Sequence, residues 1–184
     1  MGNSDATNIA HIIAIWFHIL GIALFVGPQF FLAFAWVPVS RGIADQSVRV
    51  DLMRKLTRRF LYIGGLGLVF LVAAGSYLIS DWRDFYNIDE DAEFTSIRYG
   101  VLFIVKMSLF LVLLAALALH SFVVGPRLID RIDEQAKGRG ASPAEVRSAR
   151  MASMAVSIAG LLLALTIMVL GVMMNTSDFS IRGT

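Results

Sequence analysis

Four ionisable side chains, His11, His18, Lys106 and His120, stand inside stretches that are otherwise free of them. A titratable group within a hydrophobic span is costly in lipid and faces the interior, where it serves a ligand, an ion path or a proton relay. His11 and His18 are seven residues apart and Gln29 follows eleven later, so at ~100° per residue all three share one helix face. Lys106 and His120, fourteen apart, share another. Imidazole suits copper and haem iron, and the thioethers of Met168, Met173 and Met174 suit copper(I).

Depth sorts these groups. His18 is 23 residues from Arg41, Lys106 is 21 from Arg127 and Met168 is 18 from Arg150, so at ~1.5 Å per residue all three lie far from the basic loops. His120 is only seven residues from Arg127 and belongs to the other leaflet. A metal site is therefore expected from His11, His18, Met168 and Met173, with His120 apart. Each group also has a plainer role. His11 can face water at the interface, Lys106 can snorkel, His120 can bond a serine or a carbonyl, and the methionines can fill space.

The elements that must position them follow from charge. From Ala6 to Ser40, from Phe60 to Ser80 and from Met151 to Ser177 there is no Asp, Glu, Lys or Arg, and from Tyr99 to Pro126 there is only Lys106. A membrane span needs ~20 apolar residues, so the chain reads as an all-α integral membrane four-helix bundle, a single domain over 1–184 with spans at about 9–39, 60–80, 99–126 and 151–175. At 184 residues and a mean hydropathy of +0.71 it has no room for a separate soluble domain. Cysteine is absent, which excludes disulfides, thiolate metal sites and covalent haem attachment. The net charge of +2 does not point to nucleic acid.

The loops at 41–59 and 127–150 each carry six basic residues, whereas 81–98 carries six acids and only Arg83 and Arg98. The positive-inside rule places the basic loops in the cytoplasm and both termini outside, in a multi-pass protein of the cell inner membrane. Val48, Leu52, Leu56 and Phe60 form an amphipathic cytoplasmic extension of the second span, and Ser142-Pro143-Ala144-Glu145 is a capping box that starts helix four before it enters lipid. Small residues on the second and fourth spans, among them Gly64, Gly65, Gly67, Gly75, Gly160 and Gly171, let helices approach closely. Val26-Gly27-Pro28-Gln29 and Val124-Gly125-Pro126-Arg127 look alike, each with a histidine upstream, as a duplicated hairpin or two helix kinks would.

His18-Ile-Leu-Gly21, Phe25-Val26-Gly27, Pro38, Leu56-Thr57-Arg58-Arg59-Phe60, Gly75, Val105-Lys106-Met107 and His120 before Gly125-Pro126-Arg127 resemble the copper-resistance protein D family over roughly the first 130 residues. The layout is also similar to the HemJ-type membrane protoporphyrinogen IX oxidase, a haem b protein, except that Phe25-Val26-Gly27-Pro28-Gln29 replaces its aromatic-Leu-Pro-Arg stretch. The resemblance implies that His18, Arg58, Arg59, Lys106 and His120 hold a cofactor, copper or haem b.

Copper handling through a His/Met site far from the basic loops is the leading expectation. The alternatives are a haem-dependent membrane oxidoreductase and an accessory subunit of a larger membrane complex or homo-oligomer. Hydrolytic motifs such as Gly-x-Ser-x-Gly and His-Glu-x-x-His are absent.

Overall fold

In hydrocarbon every backbone N–H and C=O must be bonded within the chain, so long uncharged stretches have helix as their solution. The computed structural model describes residues 3–86, 88, 92–138 and 140–181. Asp89, Glu90 and Asp91 of the acidic segment, and Arg139, lie outside them. The described chain is all-α: α1 (Asn3–Phe31), a π-turn (Leu32–Trp36), α2 (Val37–Ser40), α3 (Gln46–Ser80), α4 (Trp82–Tyr86), a 3-10 turn (Phe94–Ser96), α5 (Arg98–Leu119), a second π-turn (His120–Val124), α6 (Gly125–Ala136), α7 (Pro143–Met174) and α8 (Ser177–Ser180). Four continuous helical stretches, Asn8–Ser40, Gln46–Ser80, Arg98–Gln135 and Pro143–Met174, are long and apolar enough to cross a membrane. All but the first extend past the uncharged core of their span into the basic loops.

The chain divides into two compact units, Met1–Val39 with Lys55–Ala92, and Ser40–Arg54 with Glu93–Thr184. In the first, α1 and α3 meet backbone to backbone. A Cβ on Gly21 would lie 2.9 Å from the Gly67 carbonyl oxygen and from Leu71 N, and one on Gly67 would lie 2.8 Å from Phe25 N. Gly64, Gly65 and Gly27 have open space where a Cβ would go, so only part of the glycine pattern is a helix contact. In the second unit α5 packs on α7, where Gly160 and Ala164 are buried and Leu113 of α5 is 2% exposed.

Two π-turns widen the long helices for one shared reason. The Val37 N–H bonds to the Leu32 carbonyl and the Gly125 N–H to the His120 carbonyl, each five residues back, and the next residue is Pro38 or Pro126. A proline ring clashes with the carbonyl four residues before it, and a wider turn relieves that clash. With no N–H on the proline, the Ala33 and Ser121 carbonyls lose their α-type and π-type helical donors alike. The proline equivalent to Pro126 is thus Pro38. Pro28, which the sequence likeness pairs with it, lies inside regular α1.

At the basic end of the second unit, Val50, Leu128, Ile132, Ala141 and Val146 form a small buried cluster with Ile129 and Ala149 against it. Val50 is the inward residue of the first turns of α3, whereas Val48 and Leu52, on the amphipathic stripe read from the sequence, are 47% and 38% exposed. Asp45 caps α3, accepting from Ser47 N–H, Ser47 Oγ and Val48 N–H at 2.8, 2.7 and 3.3 Å. The expected capping box is present on α7: Glu145 N–H donates to Ser142 Oγ at 3.2 Å and Ser142 N–H to Glu145 Oε2 at 2.8 Å. Just upstream Gly138 and Gly140 adopt φ of 65° and 97°, a conformation that other residues rarely take.

Candidate functional site

His18 and Lys106 occupy corresponding places in the two units. Each lies 20 residues before the proline that follows a π-turn, and each rests against a glycine of the antiparallel helix. A Cβ on Gly75 of α3 would lie 3.4 Å from His18 Cε1 and 3.6 Å from Nδ1, and a Cβ on Gly171 of α7 would lie 3.6 Å from Lys106 Nζ. Glycine at these two positions brings helix backbone up to the polar side chain, which is half-buried in both cases. Lys106 ends beside the last turn of α7, where carbonyls at a helix C-terminus favour a cation.

His11 has a different setting in the first unit. Its Nδ1 donates to Asp81 Oδ2 at 2.9 Å, and its ring stacks on Phe85 with centroids 3.6 Å apart and planes 4° from parallel. His11 is 6% exposed and the Asp81 carboxylate 12%, so neither fronts open water. Beside them Trp82 is buried, with the Arg83 guanidinium 5.0 Å over its ring. Asp81, Phe85 and the glycine partners are what residue-by-residue reading of ionisable groups leaves out. The available signal for Asp81 is its place as the first acid after the second span, at the end where His11 begins the first.

His120 opens the second π-turn, half-buried, with an Nδ1 that is shielded from solvent and bonds no described residue. Met168 is 36% exposed and Met173 half-buried, both on α7 of the second unit, while His11 and His18 belong to the first. Those two histidines are seven residues apart on one helix, roughly 10 Å along its axis, too far to share one ion. Arg58 and Arg59 are exposed on α3. Among the described residues no three His, Asp or Glu side chains come together as a metal-binding group. What the structure does bring together is one nitrogen donor and one glycine in each unit, and one histidine with one carboxylate.

Compared with known proteins, the chain is matched by no family model, no curated protein and no solved structure.

Proposed function

We propose that this chain is a membrane-embedded haem b redox protein in which His18 would hold the iron. The observation that carries the reading is that each unit sets one nitrogen donor beside a glycine of the neighbouring helix, His18 at Gly75 and Lys106 at Gly171. Iron in a porphyrin arrives with four nitrogens, so the protein need supply only one or two donors, whereas a copper ion held by side chains alone needs several converging on one point. Single nitrogen donors suit the first demand. Of the His18 ring, Cε1 and Nδ1 are the atoms nearest the place that a Gly75 Cβ would take, so Nε2 would be the nitrogen offered to iron.

Bound there, haem b supplies one-electron transfer between ferric and ferrous iron. His18 would hold the iron, and glycine at position 75 leaves room for the imidazole beside α3. The acidic end is taken as the outer face and the membrane as the cell inner membrane.

Copper handling at the acidic end is the second reading, and one observation favours it. Histidines that bind metal commonly donate the other ring N–H to a carboxylate, as His11 does to Asp81, which leaves Nε2 as the ligating atom.

A visible spectrum of the purified full chain, oxidised and dithionite-reduced, with iron and copper quantified on the same sample, separates the two. The haem reading expects a Soret band that shifts on reduction, iron near one per chain, and loss of both in His18→Ala but not His11→Ala. A colourless protein expressed with haem available overturns it, and bound copper lost in His11→Ala moves the function to the second reading.

A further inference from the structure

The cations at the basic end of the second unit fall into two groups. Arg54 faces Asp130 at 3.5 Å, Arg131 faces Glu134 at 3.3 Å and Glu145 at 3.6 Å, and Lys137 pairs with Asp133, so their charge is answered within the protein. Arg41, Arg49, Arg127, Arg147 and Arg150 have no acidic partner among the described residues, and of these Arg147 and Arg150 are exposed three residues apart on α7. They are also the last charges before the uncharged run that starts at Met151. Beside Arg147, on one exposed face of the same helix, stand Ser148, Met151, Ala152 and Ala155. Val146, Gly160 and Ala164 are buried on the opposite side of the helix, so this face turns away from the packing of this unit.

We propose that α7 binds an anionic phospholipid here, its phosphate on Arg147 with Arg150, one position over on the neighbouring side of the helix, as a second cation, and the start of one acyl chain along Met151, Ala152 and Ala155. The order of groups on the helix is the order of groups in the lipid. A guanidinium that can bind phosphate through two N–H groups stands with the Ser148 hydroxyl about one turn before an apolar, small-residue surface. Charge selects the occupant. A zwitterionic lipid would bring its own cation toward two unpaired arginines, and a second copy of this face would oppose arginine to arginine, whereas an anionic headgroup adds no positive charge. The surface is independent of His18 and of any haem.

The test is lipid binding to the delipidated full chain in detergent, read by native mass spectrometry with phosphatidylglycerol and phosphatidylcholine as competing probes. Phosphatidylglycerol is expected to be retained in preference, by roughly fivefold for each arginine engaged. Arg147→Gln with Arg150→Gln should abolish the preference while leaving helical content and thermal midpoint in detergent unchanged, and Ala152→Leu should weaken binding of both lipids. Lys137→Gln, at a paired cation, should leave the preference intact. Equal binding of the two lipids by the unaltered chain, or a preference that survives the double substitution, overturns the proposal. A lipid-free dimer that Ala152→Leu dissociates also overturns it, by assigning this face to a second copy.

Discussion

His11 Nδ1 lies 2.9 Å from Asp81 Oδ2, joining the start of the first span to the end of the second across 70 residues of sequence. Both side chains are nearly buried, and Phe85 covers the imidazole. Removing one partner strands the other away from water. Asp81→Ala and His11→Ala are each expected to cost about 3 kcal/mol in reversible unfolding of the full chain, and the double replacement His11→Phe with Asp81→Leu to recover most of it. Additive losses in that cycle would mean that the two groups do not act as a pair.

Backbone contact between α1 and α3 predicts which glycines are irreplaceable. Gly21→Ala and Gly67→Ala force a Cβ into backbone at 2.8–2.9 Å and should each lose about 1–3 kcal/mol. Gly64→Ala and Gly65→Ala meet open space and should stay within about 0.5 kcal/mol of the parent. Thermal midpoints of the four variants in one detergent check the contrast.

Gly75 supplies a graded test of the His18 setting. A methyl group there would touch the imidazole at ordinary contact distance, 3.4 and 3.6 Å, so Gly75→Ala should keep the Soret absorbance expected of a haem protein. Gly75→Leu must move the ring and should lose most of it, with helical content by circular dichroism unchanged. Equal absorbance in both would show that the contact does not position a ligand.

The second π-turn sets the rotational phase of α6. Pro126→Ala restores an N–H and removes the ring that the wide turn accommodates, which favours an ordinary α-turn and rotates the helix beyond it by ~100°. Leu128 and Ile132 would then leave Val50 and Val146. Faster hydrogen exchange across 125–136 in Pro126→Ala, with α5 unaffected, is the expected result.

Three donors to the Asp45 carboxylate hold its pKa below the ordinary aspartate value, chiefly the Ser47 hydroxyl and then the Val48 and Ser47 N–H groups. A depressed folded-state pKa contributes stability above the unfolded value, ~3.9, and that contribution is lost as pH falls through the folded value. Asp45→Asn should therefore flatten the fall in stability below about pH 4 relative to the parent. Parallel acid profiles for the two chains would remove Asp45 from the account.

What the sequence by itself determined is local. Four spans follow from length and the absence of charge, because a backbone in hydrocarbon bonds to itself whatever lies beside it. The Ser142–Glu145 box and the positive-φ glycines before it are legible for the same reason, since their partners lie within a few residues. Ionisable groups within the spans also stood out as site candidates. Their surroundings did not, because which residue of one helix meets which of another depends on the relative rotation and depth of the two helices, which no pattern within one of them sets. Tertiary structure therefore decided that Asp81 answers His11, that Gly75 and Gly171 border His18 and Lys106, that Gly21 and Gly67 touch while Gly64 and Gly65 do not, and that Val50 rather than Val48 turns inward.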